Sequence, residues 1–371
     1  MALIKIQERG RETVNLGRRN ILRNGAINVA QRGTIFSPTN GQTYIFDGFL
    51  ATVGSSFNMD TTVTQSSTVP TGEGFNKSIK VTPDSVVSSS GSHNGGIAQR
   101  LEVQNVNHLG WGTSSAKSLT LSFWVKSSKT GTYCVQLQQN ATSSGSEYGH
   151  VKEYTIATAD TWQKVILTFP GNTTQAANGS DDADGLRVNW WLVCGSSDHT
   201  AADSWAQTAS YQATSNQVDF MDNTSNTWYM TGCQLESGNN ATEFEHRSFG
   251  EELAACQRYF FTPAPRGFQH GYIGPITSAT SSVAISLITY PVAMRSAPSL
   301  EITGPSDDTY RYRSNNGSIN ANSNTNPSIG NTTKYNCRLD WTGFSGLTAN
   351  TSGIVTQGNG TDGYFGFTAE L

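Results

Sequence analysis

One stretch near the middle of the chain, residues 228–261, constrains the architecture more than any other part of the sequence. Residues 228–235 alternate between two faces and are rich in β-favouring types, which predicts a strand. The turn formers at 238–240 end that strand. Ser248 and Glu251 then form a capping box ahead of apolar residues at helical spacing, which predicts a helix that continues to residue 261. The stretch therefore predicts a junction at which one β-domain passes through a helix into a second domain.

The remaining pattern is that of an all-β protein. Only 14% of the 371 residues are charged and 37 are glycine, a composition that suits short strands joined by many turns. Residues 118–126 alternate cleanly between apolar and polar faces, as a half-buried antiparallel strand does. We predict an antiparallel jelly-roll sandwich followed by a short helix and a second, smaller β-domain. The predicted boundaries are an N-terminal arm at 1–19, a jelly roll at 20–247, a connecting helix at 248–261 and a C-terminal β-domain at 262–371.

Further strands are predicted at several places. In the first domain they lie at 77–82, 97–103, 131–138, 150–157, 162–169 and 186–194, and in the second at 282–289, 298–303, 309–313, 334–341 and 363–369. Residues 314–333 are almost wholly small and polar, and are interpreted either as a loop or as a thin strand pair packed between subunits.

Charge is unevenly distributed along the chain. The net charge of −4 predicts no general attraction to nucleic acid or to an anionic membrane. Residues 1–32 are basic, with only Glu8 and Glu12 opposing seven cations. We predict that this arm attaches the protein to an acidic partner surface, the alternative being a solvated arm without a partner. The candidate attachment residues are Arg9, Arg11, Arg18 and Arg19.

Targeting signals and cysteine usage indicate synthesis in a reducing compartment. No apolar run approaches the roughly 20 residues of a membrane span, and an apolar leader is missing at the start of the sequence. The five cysteines, Cys134, Cys194, Cys233, Cys256 and Cys337, have wide spacings that fit no zinc motif, so we expect buried free thiols.

Signals for catalysis are weak. The six histidines are scattered, and neither a nucleophile elbow nor a phosphate-binding glycine loop occurs, so we predict a protein that is not an enzyme and has no cofactor or metal. Asp181, Asp182 and Asp184 form the only dense acidic group, for which a solvated loop is favoured over a calcium site. His246, within the junction, is predicted to be a packing residue.

Aromatic residues give a clearer indication of binding. Trp190 and Trp191 are adjacent on a predicted strand, so one faces the core and the other faces outwards, where it can stack on a sugar ring. Trp111 and Trp205 lie in predicted loops, where binding residues often occur. Tyr310 and Tyr312 offer flat amphipathic contacts in the second domain. These six residues are the candidate glycan-binding residues, with core or interface packing as the alternative for each.

Two runs of the sequence resemble virion proteins of tailed phages, especially tail fibres and related appendages. One is NILRNGAINVAQRGTIF at 20–36. The other contains Gln234-Leu235-Glu236, Ala241-Thr242, Phe244-Glu245, Arg247, Glu251-Glu252-Leu253 and Cys256-Gln257-Arg258-Tyr259. The sequence departs from the usual pattern at 44–49, where YIFDGF replaces an aromatic residue followed by x-x-Asp-Arg-Trp.

The resemblance implies a role in the virion, in a protein made in the host cytoplasm. The expected function is that of a tail fibre or appendage subunit, attached by its N-terminus, that contacts host surface polysaccharide with its distal C-terminal domain. The expected assembly is a homotrimer whose chains meet near the helix, at Leu253, Cys256, Phe260 and Phe261. Two alternatives stay open, a capsid decoration protein and a polysaccharide depolymerase.

Overall fold

Two antiparallel sheets face each other and form the first domain. The structure, a computed structural model, describes residues 19–54, 57–140, 147–177, 179–207, 212–264, 271–303, 310–314, 319–323, 325–357 and 364–371. Its strands in this domain are β1 (Ile35–Phe36), β2 (Gly41–Tyr44), β3 (Phe49–Val53), β4 (Thr61–Ser66), β5 (Ser78–Pro83), β6 (Asn94–Glu102), β7 (Leu119–Ser127), β8 (Gly131–Gln139), β9 (Tyr148–Ile156), β10 (Gln163–Phe169), β11 (Asp184–Cys194), β12 (Trp205–Gln207) and β13 (Trp228–Ser237).

The strands form a jelly-roll sandwich, as the sequence predicts. One sheet has the order β1-β4-β5-β13-β7-β10, and the other has the order β12-β9-β8-β11-β6-β3-β2. A four-residue helix, α1 (Val103–Val106), follows β6, and single 3-10 turns lie at Asn107–Leu109, Ser196–Asp198 and Phe220–Asp222. The predicted alternation in β7 is confirmed in its second half, where Phe123 and Val125 are fully buried while Trp124 and Lys126 are half-buried; in its first half the polar residues Thr120 and Ser122 are buried as well. Burial of this apolar face is the main driving force for the sandwich.

The second domain is also antiparallel. Its strands are β14 (Phe260–Ala264), β15 (Tyr272–Ser278), β16 (Ala284–Thr289), β17 (Ser299–Thr303), β18 (Tyr310–Ser314), β19 (Ile319–Ser323), β20 (Ser328–Thr332), β21 (Asn336–Trp341), β22 (Ser352–Thr356) and β23 (Tyr364–Thr368). They form a three-stranded sheet, β14-β23-β17, and a seven-stranded sheet, β19-β18-β22-β15-β16-β21-β20. Of the two readings of 314–333, strands are confirmed, but β19 and β20 lie at opposite edges of the sheet and do not pair with each other.

The predicted capping box begins the connecting helix, α2 (Phe249–Gln257). The Ser248 hydroxyl accepts from the backbone N–H of Glu251, and the Glu251 carboxylate accepts from the backbone N–H of Ser248 at 3.0 Å. The predicted end at 261 is wrong, because the chain turns after Gln257 and Phe260 starts β14. The apolar residues at 260 and 261 have the spacing of one more helical turn, but they belong to strand β14, in which Phe260 is fully buried.

The expectation that chains meet at the helix also needs correction at two residues. Cys256 is 1% exposed and Phe260 is fully buried within their own chain, so neither offers a surface to a second subunit. Leu253 and Phe261 are half-buried. His246 packs between the rings of Phe75 and Phe244, at 5.4 and 4.9 Å, which confirms its predicted packing role.

The two sequence runs that resemble phage proteins pack against each other. The Asn20 side chain donates to the Cys233 carbonyl at 3.0 Å and accepts from the backbone N–H of Leu235 at 3.0 Å. Glu245 accepts from the backbone N–H of Asn20. Gly25 lies so close to β13 that a Cβ atom would meet the Cys233 oxygen at 2.1 Å, which requires glycine there. The first run is therefore held along β13 and its connector rather than on a separate part of the fold.

A buried ionic cluster joins the two domains. Arg32 is 1% exposed and forms a bidentate pair with Glu301 of β17, at 2.8 and 3.1 Å, and a further contact with Glu370 at 3.1 Å. Its guanidinium lies 3.6 Å from the centroid of the Phe260 ring. The Arg32 guanidinium holds the pKa of the Glu301 carboxyl below its usual value even though burial acts in the opposite direction. A second cluster pairs Glu102 of β6 with Arg258 at 2.7 Å.

Removal of Arg32 should weaken the whole molecule. An Arg32→Ala variant leaves Glu301 and Glu370 without their cation in a largely buried site, so we expect the free energy of unfolding to fall by about 3–5 kcal/mol. Urea denaturation followed by fluorescence measures the loss. Lys334→Ala is the matched control, since Lys334 pairs with Asp182 across the same two domains but on the surface, and should cost no more than about 1 kcal/mol. Equal, small losses in both variants would show that the buried cluster does not hold the domains together.

Candidate functional site

A groove crosses the outer face of the seven-stranded sheet of the jelly roll. Strand β11 sends Trp190 into the core between the sheets, so Arg187, Asn189 and Trp191 point to the opposite, outer face. The β6 position opposite Asn189 is Ala98, a small residue that lines the groove. The groove has a volume of about 280 Å³. It is lined by Gln42, Leu50, Thr52, Val53, Gly54, Asn94, Ala98, Arg100, Gln138, Arg187, Asn189, Trp191 and Gln212.

The groove walls are polar and positively charged. Arg187 pairs with Asp184 at 2.7 Å, and Arg100 lies 3.6 Å from the same carboxylate. Burial and the neighbouring Arg187 lower the pKa of Arg100. The Asn189 amide donates to Gln136 at 2.9 Å, which fixes its orientation. Two guanidinium groups thus share one acidic partner, and a net positive charge faces the groove.

Three polar atoms of groove residues lack a hydrogen-bond partner among the described residues. They are Nε1 of Trp191, Oε1 of Gln212 and Nε of Arg100, and all three are buried. Buried polar groups are nearly always satisfied in folded proteins, so unsatisfied ones mark places where a further partner belongs. Nε of Arg100 faces the Asp184 carboxylate at 3.6 Å, which leaves the Trp191 donor and the Gln212 acceptor. A donor and an acceptor match the chemistry of a polyhydroxylated ligand, whose hydroxyl groups both donate and accept.

The sequence prediction for the adjacent tryptophans is partly right. Trp190 and Trp191 do point to opposite faces, but Trp190 is fully buried between the rings of Phe49 and Phe123, 6.2 and 6.0 Å away. A glycan contact at Trp190 is therefore wrong. Trp191 lies in the groove but is only 3% exposed, and the amide of Gln217 donates to its carbonyl. It therefore has no open stacking face, and its indole N–H is buried without a partner among the described residues.

Trp111 and Trp205 come together at the edge of the sandwich, away from the groove. Their rings are 5.2 Å apart and perpendicular, and Trp205 also packs against His150 at 5.2 Å. The indole of Trp111 donates to the Lys117 carbonyl, and Trp111 is 6% exposed, so the glycan contact predicted there is replaced by packing. Trp205 is half-buried, and its glycan contact stays a prediction.

Tyr310 and Tyr312 are core residues of the second domain. Tyr310 packs 4.9 Å from Trp341 and its hydroxyl donates to Asn326. Tyr312 is 1% exposed and its hydroxyl donates to the Thr351 carbonyl. Both rings lie on the inner face of β18 because residues two apart on a strand share a face. The predicted glycan contacts at these two residues are therefore wrong.

Of the candidate attachment residues, the structure describes only Arg19. Its guanidinium donates to the Thr242 hydroxyl at 2.9 Å, and its backbone N–H donates to Glu245. Arg19 is thus engaged with the junction of its own chain. Arg9, Arg11 and Arg18 lie outside the described residues, and particle attachment stays a prediction.

A second, larger cavity of about 970 Å³ lies at the junction itself. Several cations line it, but two of them already have acidic partners: Arg247 pairs with Glu245 at 2.9 Å, and Arg258 pairs with Glu102 at 2.7 Å. The cavity lining is therefore part of the network that joins the domains.

The acidic group at 181–184 takes part in packing. Asp182 pairs with Lys334, its carbonyl accepts from Arg295, and Asp184 binds the two groove arginines. Among the described residues no group of three or more acidic, histidine or cysteine side chains is arranged to hold a metal ion. All five cysteines are buried and free, as predicted, and burial raises the pKa of the Cys134 thiol.

The groove residues other than Trp191 were not predicted from the sequence. Most come from β2, β3, β6, β8 and β11, which are far apart along the chain, and five of the twelve are amides, in segments such as QLQQ at 136–139. The one available signal is that these strands carry polar residues on the face that turns away from the core.

No family model matches the chain, and no curated protein matches it in sequence. Solved structures with a similar fold include a putative sugar binding protein from Bacteroides thetaiotaomicron, with 11% identity, a TM-score of 0.32 and coverage of 59% of this chain and 99% of that one. The C-terminal family 22 carbohydrate binding module of Clostridium thermocellum has 12% identity, a TM-score of 0.30 and coverage of 58% and 100%.

A third similar structure is the enzymatically active domain of tailspike protein 4 from bacteriophage CBA120. It has 12% identity and a TM-score of 0.29, and the alignment covers 59% of this chain but only 21% of the tailspike chain. All three TM-scores are below 0.5, so the evidence for the groove as a candidate site is the geometry of the groove itself.

None of the helices in the described part of the chain is long and apolar enough to cross a membrane.

The aromatic cluster around His150 should make stability depend on pH. Burial lowers the pKa of His150 to about 4 from its ordinary 6.5. The unfolded chain therefore binds this proton at a higher pH than the folded protein does. The contribution of neutral His150 to the free energy of unfolding is fully present above pH 6.5 and is lost as the pH drops towards 4. Urea denaturation across this range measures the slope. His150→Phe, which removes the titrating group, should flatten it; an unchanged slope in that variant would contradict the assignment.

Proposed function

We propose that this chain is a non-enzymatic structural protein of a tailed-phage virion, a tail fibre or appendage subunit whose jelly roll binds host surface glycan in the groove. The groove is the observation that carries the binding part of this proposal. It combines an indole, several amides and two guanidinium groups, with a buried donor on Trp191 and a buried acceptor on Gln212 that lack partners among the described residues. Sites for small polar ligands are concave and hold a few convergent polar groups in this way.

The junction supports the virion assignment. The two runs that resemble phage appendage proteins are distant in sequence, yet they share hydrogen bonds such as those of Asn20 with β13 and of Asn24 with Glu252. The residues that carry the resemblance are thus the ones that fasten the jelly roll to the next domain. A junction of this kind suits a subunit that must transmit force between a particle and a cell surface.

Assembly and attachment complete the proposal. The basic arm at 1–19 attaches the subunit to another virion protein, the C-terminal domain lies distally, and three copies associate. Single glycan sites bind weakly, with millimolar affinity worth about −4 kcal/mol, and three linked copies raise avidity through effective concentration. A light-scattering mass of three chains of 39.9 kDa would support the trimer, and a mass of one chain would contradict it.

The groove chemistry favours binding over hydrolysis. Glycoside hydrolysis uses two carboxyl groups that flank the scissile bond. Two carboxylates contact groove-lining side chains and are held by them: that of Asp184 is bound by Arg187 and approached by Arg100, and that of Asp198 accepts from the Asn94 amide at 2.9 Å, which suits structural anchors. The alternative of a polysaccharide depolymerase is distinguished by the product: an enzyme shortens the polysaccharide chain, whereas a binding protein retains it unchanged.

Loss of two groove side chains should weaken glycan binding without unfolding the protein. We expect a Gln138→Ala/Arg187→Ala variant to bind its best glycan at least about tenfold more weakly, because each lost hydrogen bond contributes about 1 kcal/mol or more. Binding is measured on an array of bacterial lipopolysaccharide and capsular oligosaccharides, followed by calorimetry with the best ligand. Both residues are half-buried, so the domain should keep its fold.

The matched control is Gln257→Ala/Arg338→Ala, which removes the same two residue types from α2 and β21, outside the groove lining. It should bind as the wild type does. Equal losses in both double variants, or no binding by the wild-type protein to any oligosaccharide of the array, would contradict the proposed groove.

A further inference from the structure

A row of lysines and aromatic rings crosses the outer face of the other sheet of the jelly roll. In the strand register, Lys80 of β5 is opposite Tyr229 of β13, and Tyr229 is opposite Lys126 of β7. Gln163 pairs with Val125, so the preceding residue, Trp162, lies beside Lys126. Two residues away along the same strands, and therefore on the same face, Trp124 of β7 is opposite Lys164 of β10. Three cations and three rings therefore alternate on one face, with neighbouring strands about 4.8 Å apart.

Four side chains of this lysine–aromatic row, those of Lys80, Tyr229, Lys126 and Trp162, are in contact with one another. The ammonium of Lys126 lies 4.4 Å from the centroid of the Tyr229 ring and 5.8 Å from that of Trp162, and the two rings are 6.2 Å apart. Lys80 approaches Tyr229 from the other side at 5.9 Å. The three rings are half-buried, so part of each faces solvent. Cation–π contacts hold the ammonium groups over the rings and preorganise the surface.

The charge of the row is not neutralised within the described part of the chain. No described carboxylate lies within ion-pair distance of Lys80, Lys126 or Lys164, whereas Lys129 and Lys152 on the same domain each pair with an aspartate. This concentration of positive charge stands out in a protein whose net charge is −4. Cross-strand packing of aromatic residues accounts for the rings but does not require three unpaired cations beside them.

We infer that this face binds an acidic polysaccharide. The rings offer flat apolar surfaces for the faces of sugar units, and the lysines, on β5, β7 and β10, offer ammonium groups for carboxylates along an extended chain. A single-stranded nucleic acid needs a positively charged groove that follows its backbone, which this open sheet face does not provide. This site is on the opposite sheet from the groove, so binding at the lysine–aromatic row can be tested independently of glycan binding in the groove.

The test uses two polymers that differ only in charge. Affinity electrophoresis of the full chain through gels that contain polygalacturonate should retard it, and the methyl-esterified polymer, whose carboxylates are blocked, should not. A Lys80→Gln/Lys126→Gln/Lys164→Gln variant should lose about tenfold or more in affinity, because several charge-assisted contacts are removed together. Retardation should also weaken with added salt. A Trp162→Leu variant should lose affinity at constant charge.

The matched control removes the same number of lysines elsewhere, as Lys117→Gln/Lys152→Gln/Lys334→Gln. It should be retarded as the wild type is. The inference is overturned by failure of polygalacturonate to retard the wild-type protein, by equal losses in the two triple variants, or by tighter binding of a thymidine oligonucleotide that depends on the same lysines. If the groove variant Gln138→Ala/Arg187→Ala loses retardation while the row variant keeps it, the acidic polymer occupies the groove, and the proposed function survives without this second site.

Discussion

The buried Arg32 cluster is the interaction on which the rest of the structure depends. Taking a guanidinium out of water is costly, and the cost is offset only where carboxylates meet it with good geometry. Glu301 and Glu370 do so from the second domain, while Phe260 covers the cation from β14. The first-domain segment that carries Arg32 therefore reaches its low-energy conformation only with the second domain in place. This constraint makes two separate sheet systems into one cooperative structure.

The same contact region extends to the edge of the groove on the jelly roll. The Arg100 guanidinium, which lines the groove, donates to the Leu371 carbonyl and to Gln42, and Tyr44 donates to the same carbonyl at 2.5 Å. Arg23 in turn donates to the Arg100 carbonyl. The end of the second domain thus supports one wall of the groove. A rigid wall is useful to a weak binding site, because side chains that are already ordered lose less entropy when a ligand arrives.

Much of the fold could be predicted from the sequence, and the site could not. Strand β7 and the capping box at Ser248 are local patterns, and the structure confirms both. Strands such as β2, with the sequence GQTY, were missed because their short polar segments have no apolar period of their own. The groove depends on the register of strands that are distant in sequence. Burial of Tyr312 likewise follows from packing across the second domain, which alternation along one strand does not reveal.

Glycan binding in the groove is tested most directly by the indole resonance of Trp191 during a glycan titration. Two-dimensional ¹H–¹⁵N spectra of the full chain resolve tryptophan side-chain N–H groups, and Trp191→Phe assigns the signal. A bound oligosaccharide should shift the Trp191 resonance, while Trp190 and Trp228, fully buried in the core, keep theirs. Saturable binding that leaves the Trp191 resonance unmoved would place the glycan elsewhere and contradict binding in the groove.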